Sequence, residues 1–135
     1  MRPLLTLPYL HLSLHEGPAP VLELQWLSFV NSADFRAAAT QALELSRTHH
    51  VKAWLGDDRL LGAVRPRDLE WAEQAILLPL AQAGLERFAL LKPQDRLNHL
   101  TIESMYARVI PAVDFEIRYF DDLTLARAWA GGRAI

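Results

Sequence analysis

Asp57-Asp58-Arg59, the five scattered histidines and the serines Ser28, Ser32 and Ser104 are the residues whose types could carry chemistry. Two adjacent carboxylates beside a guanidinium could hold a hard cation or meet a partner in a polar loop. They could equally form a solvated turn in which one Asp caps a short helical turn. His11 and His15 share a strand face about 13 Å apart at ~3.3 Å per residue, too far for one metal. His49 and His50 point to opposite sides if extended, and no His-x-x-x-His pair on a helix brings His99 into a ligand set. Ser28, Ser32 and Ser104 lack the Gly-x-Ser-x-Gly elbow of a nucleophile. Ser32 reads as a helix cap. The six glycines form no phosphate-cradling loop. The chain is therefore expected to have no catalytic residues, no metal and no cofactor, and to be no enzyme.

The elements that must position these residues follow from periodicity. Leu5 to His15 alternates with period two, with a phase slip at Pro8, as in an edge strand or one with a bulge. Gly17-Pro18-Ala19-Pro20 is a turn, and Val21 to Leu27 alternates again, so the two runs pair as an antiparallel hairpin. A helix starts at Ser32, with Asp34 in its first turn and Phe35, Ala38, Ala42 and Leu45 as its buried stripe. Val51 to Leu55 is a short apolar strand of the kind buried on both faces. A second helix has Arg65 as N-cap and Pro66 at its first position. Its inner stripe is Leu69, Ala72, Ile76, Leu80 and Ala83; Pro79 should kink it and Gly84 end it. Arg87 to Leu91 is a strand, a helix lies between Asp95 and Val109, and Phe115 to Phe120 is the last strand. Asp122 caps a final helix that ends at Gly131-Gly132, with a frayed tail over 130–135.

The order β-β-α-β-α-β-α-β-α predicts an α/β domain, a mixed sheet with an N-terminal antiparallel hairpin and about four helices. Ligands in such sheets meet the loops at the carboxyl ends of the strands, here after Trp26, Leu55, Leu91 and Phe120. The 135 residues suit one domain over 1–135, and 51% hydrophobic content excludes a disordered chain. A formal net charge of −2 argues against a nucleic-acid binder, and the absence of cysteine excludes disulfides and thiolate sites. No apolar run reaches the ~20 residues of a membrane span. The N-terminal stretch, broken by Pro8, His11, Ser13 and His15, reads as a strand and not a signal peptide. A cytoplasmic location is expected.

Three segments carry a family resemblance: 26–36 (Trp-Leu-Ser-Phe-Val-Asn-Ser-Ala-Asp-Phe-Arg), Leu55-Gly56-Asp57-Asp58-Arg59 and Asp68-Leu69-Glu70-Trp71, with Tyr119-Phe120-Asp121-Asp122, Ala126 and Trp129 behind them. Together they resemble the STAS domain, the fold of the anti-sigma factor antagonist SpoIIAA, and more narrowly the small bacterial SpoIIAA-like proteins of the STAS/SEC14 type. That resemblance implies a regulatory protein-interaction module. Phosphorylated members carry a Ser or Thr at the start of the helix after the third strand. Here none occurs between Thr48 and Thr101, so the hydroxyl that a kinase would modify is missing. Asp57 and Asp58 stand in the loop instead, where a fixed carboxylate is only a partial imitation of phosphate.

The expected interaction surface comprises Asp57, Asp58, Arg59, Leu60, Leu61, Arg67 and Trp71, facing a protein partner or a second copy of the chain. The apolar run Leu60 to Val64 is its best apolar patch. The alternative is a SEC14-like carrier of a small apolar ligand or lipid, lined by Trp26, Phe29 and Trp54. A preformed apolar cavity of a few hundred Å³ would favour the carrier. A filled core with an exposed apolar loop would favour the interaction module.

Overall fold

The computed structural model describes residues 1–132 of the chain. Six strands form one sheet in sequence order: β1 (Arg2–Leu7), β2 (Leu10–His15), β3 (Val21–Trp26), β4 (Ala53–Asp57), β5 (Arg87–Leu91) and β6 (Glu116–Phe120). β1, β2 and β3 are an antiparallel meander; β3 to β6 run parallel. The helical units are α1 (Ser32–Thr48); α2 (Pro66–Ala72), continued by a π-helical turn (Glu73–Leu77) into α3 (Leu78–Gln82); α4 (Arg96–Val109); and α5 (Leu123–Ala130).

This is the mixed α/β sheet that the alternation predicts, with two local corrections. The phase slip at Pro8 is a chain reversal and not a bulge within one strand: Leu7 pairs with Leu10, so Leu5–His15 belongs to two strands. Proline fixes φ and lacks a donor, which suits a two-residue turn better than a ladder position. A separate register shift does occur in β1, between Pro3 and Leu5. The second correction concerns the start of α1. Asn31, not Ser32, is the N-cap, its side-chain oxygen accepting the Asp34 amide at 2.8 Å. Arg65 and Asp122 precede their helices as the sequence predicts, and Asp95, the lower bound of the predicted helical range, is the N-cap of α4; each of the two aspartates accepts the amide three residues on. The stretch 130–135 expected to fray lies partly outside the described residues.

The two faces of the sheet are covered unequally. Leu10, Leu12, Leu22, Leu24, Trp26, Trp54, Phe88 and Leu90 face α1 to α4 and build the main core. Val21, Ala53, Leu55, Ala89, Leu91 and Phe120 face the single helix α5, packing on Ala126, Trp129 and Ala130. Eight residues of helix span about 12 Å, and among the described residues the β1–β2 side of that face has no helical cover. No helix among the described residues is long and apolar enough to cross a membrane.

Candidate functional site: the carboxyl edge and two buried acids

Parallel strands β3, β4 and β5 end on the same edge, and their loops are tied together there. The Gly62 amide donates to Ser28 O at 3.4 Å and the Gln94 amide to Arg59 O at 3.1 Å. Asn98, buried at the start of α4, donates through Nδ2 to Leu61 O (3.0 Å) and Gly62 O (2.9 Å), while its Oδ1 has no partner. A Cβ at Gly62 would lie 2.8 Å from Phe29 Cα, so the two loops approach backbone to backbone at a position that only glycine fits. This bracing presents Phe29 (60% exposed), Leu60 (52%) and Leu97 (74%) to solvent.

The polar residues of the same loops turn inward. Successive strand residues point to opposite faces, and Asp57 and Asp58 continue that alternation off the end of β4. Asp57 is buried on the α5 side, where Arg59 grips it in a bidentate pair, Nε to Oδ1 at 2.9 Å and Nη2 to Oδ2 at 2.8 Å. Asp58 is buried on the other side, where its neighbours are the apolar core. Burial and the adjacent Asp57 charge push its carboxyl up to about 7. Neither acid is the solvated turn that polar composition implies. Charge makes them look exposed in the sequence, and the guanidinium two residues on is the one signal that Asp57 has a partner.

Of the remaining residues predicted for this surface, Leu61 is buried, Arg67 exposed and Trp71 half-buried. Trp71 packs edge-on against Phe35, with the Arg36 guanidinium 5.3 Å from its ring centre. Trp26 and Trp54 line an apolar cavity of about 70 Å³ between the sheet and the helices. Phe29, grouped with them by sequence, faces solvent instead. The Trp54 indole donates to Ser46 Oγ at 2.7 Å, and Ser46 in turn donates to Ala42 O. Ser32, expected as a cap, donates to Asp68 Oδ2 at 2.6 Å; with Arg36 Nε on Oδ1 at 2.9 Å it clamps α2 to α1. Burial would raise the Asp68 carboxyl, but these hydrogen bonds and the Arg36 charge hold it below the usual range.

One cluster escapes the sequence reading. Glu23 sits at the centre of β3 with its side chain 6% exposed. His15 Nε2 lies 2.9 Å from its Oε1, and Arg127 of α5 donates Nε to Oε1 (2.8 Å) and Nη2 to Oε2 (3.0 Å). Burial works to raise this carboxyl, yet the His15 and Arg127 hydrogen bonds and charges outweigh it and hold it at about 2. The alternation of β3 marks Glu23 as outward-facing; that α5 returns to place a guanidinium over it, 104 positions later, has no sequence signal. Among the described residues no group of three or more His, Asp or Glu side chains gathers as a metal site.

A parallel sheet extended by an N-terminal antiparallel pair, with helices mainly on one face and braced loops at its carboxyl edge, is a SpoIIAA-like fold of the STAS class. The chain is similar to an uncharacterized protein from the DUF3478 family with a SpoIIAA-like fold from Shewanella loihica PV-4. The two share 17% sequence identity, cover 93% of this chain and 96% of that one, and superpose with a TM-score of 0.62. The chain matches no known protein-family model and no curated protein sequence.

Proposed function

We propose that the chain is a non-enzymatic, STAS-like interaction module that binds a protein partner, or a second copy of itself, through the carboxyl edge of its sheet. The observation that carries this reading is the presentation of Phe29 and Leu60 on loops fixed by backbone hydrogen bonds and by the Gly62 approach. Large apolar side chains on a backbone that is already braced cost little loop ordering on docking and contribute apolar burial, as interface anchors do. Arg67, at the exposed start of α2, adds a charge at the rim. The absence of Ser and Thr between Thr48 and Thr101 means that binding is not switched by phosphorylation of this loop. The SEC14-like carrier is less well supported: a cavity of about 70 Å³ is several-fold smaller than the ~300 Å³ at which drug-sized ligand sites begin.

The test is affinity capture from the native host with the wild-type chain and a Phe29→Ser/Leu60→Ser variant, with native mass spectrometry of both. A partner, or a dimer, present for the wild type and absent for the variant is the expected result. A monomer that captures nothing and carries a bound lipid overturns the reading.

A further inference from the structure

The cavity is apolar on nearly every side, yet a carboxylate lines it. Trp26, Trp54 and Phe88 from the sheet, Phe35 from α1 and Tyr106 from α4 supply an aromatic wall, and aliphatic residues of α2 and the π-helical turn close it. Asp58 enters from the β4–α2 loop, its Oδ1 3.6 Å from where a Gly56 Cβ would stand. Glycine there keeps the floor open, since a methyl group would also press Leu90 and Phe88 at 3.1 and 3.2 Å. The Asp58 residue is 6% exposed. What acts on its carboxyl is burial and the Asp57 charge, with no hydrogen bond holding it ionised. The other carboxylates buried beside it in the fold, Asp57, Glu23 and Asp68, each take two or more side-chain donors. π-helical turns, like the one at Glu73–Leu77 that carries Ile76 and Leu77 to this wall, recur at functional sites.

A lone acid within an aromatic box is the chemistry that recognises an organic cation: the carboxylate supplies the counter-charge and ring faces attract the ammonium. We infer that this cavity is a binding site for a small primary ammonium ion, its charged head on Asp58 and a short alkyl body against Trp26, Trp54 and Phe88. The volume sets the size. A dry ~150 Å³ cavity holds benzene, so about 70 Å³ takes a body of a few carbons and excludes a lipid chain. The site lies under the braced loops and is separate from the exposed rim, so it does not depend on the interaction surface.

Binding an ammonium requires ionised Asp58, so the site releases a proton as it fills near neutral pH. The other titratable or charged groups around Asp58 are Asp57, ion-paired with Arg59, and the phenols Tyr106 and Tyr119, both pushed above the ordinary tyrosine range by burial first and by the Asp58 charge among lesser causes. The lining of α1, α2 and the π-helical turn adds no charge.

The probe is n-propylammonium chloride, titrated into the whole chain against 1-propanol and against sodium chloride, with the indole N–H resonances of Trp26 and Trp54 as readout. Saturable shifts are expected with the ammonium alone. Its affinity should rise about tenfold or more between about pH 5.5 and pH 8, and fall at least about tenfold in Asp58→Asn, which loses the charge-assisted hydrogen bond. Equal affinity for the alcohol, pH-independent binding, undiminished binding by the variant, or no saturable shift overturns the inference. The wild-type pH series decides the question even where the variant fails to fold.

Discussion

Glu23 on β3 and Asp58, the residue that follows β4, are both buried carboxylates, yet they titrate at opposite ends of the carboxylate range, about 2 and about 7. Burial acts the same way on each. The difference is the company each keeps. Glu23 faces α5, whose Arg127 supplies two donors while His15 lies within hydrogen-bond reach, so the ionised form is the one the fold selects. Asp58 faces the main core, which offers apolar and aromatic neighbours and the like charge of Asp57. A sheet with unequally covered faces thus builds a charge clamp on one side and an acid in need of a partner on the other.

The largest way to break this comparison is Glu23→Gln, which leaves Arg127 without its anion. Because Arg127 is 38% exposed and can turn to water, the expected loss is about 2–3 kcal/mol, below the ~3–5 kcal/mol of a fully buried broken pair. Urea unfolding at neutral pH measures it. The opposite substitution should have the opposite sign: Asp58→Asn keeps the shape and removes a buried charge, gaining about 1–3 kcal/mol at pH 8. That gain should vanish below about pH 3, where the wild-type carboxyl is protonated in folded and unfolded chain alike.

The pH profile of the wild type sharpens the same contrast. Glu23 has its folded value lowered from 4.5 to about 2, so it contributes stability above about pH 4.5 and loses it as pH falls toward 2. Asp58 has its folded value raised from 3.8 to about 7, so it imposes no penalty below about pH 4, and one that grows as pH rises to 7. Stability of the wild type should therefore peak near pH 4, where the rising Glu23 contribution meets the growing Asp58 penalty, and decline on both sides, while Asp58→Asn flattens only the alkaline limb. The smallest effect is expected for His15→Ala. One of the partners of Glu23 is lost, about 1 kcal/mol is forfeited, and the acid limb of the profile moves to higher pH.

Much of the fold is legible in the sequence because periodicity and punctuation are local. Arg87 to Leu91, Pro66 after Arg65 and Asp122 all sit where strand runs and cap chemistry put them, and α4 falls within the range bounded by Asp95 and Val109. Leu60 is the one residue of the predicted surface that is both apolar and exposed, and Phe29, assigned to a pocket, joins it at the rim. That exchange has a physical cause. Whether an aromatic side chain after a strand turns in or out depends on the neighbouring loop, and the Gly62 approach that fixes Phe29 comes from 33 positions further along the chain. The same holds for Asp57 and Asp58, whose shared polarity concealed opposite faces.

By itself the sequence determined most of the strands and helices, the starts of the helices after Arg65 and Asp122, the mixed-sheet class, the lack of cysteine and the lack of a hydroxyl between Thr48 and Thr101. These are properties of residue type and near-neighbour spacing. Only the tertiary structure decided that Pro8 turns the chain, that Ser32 binds Asp68, that Arg127 closes over Glu23, and that Asp58 stands in an aromatic cavity with no side-chain partner among the described residues. Each depends on which distant element covers which face of the sheet, a matter of packing that no local pattern encodes.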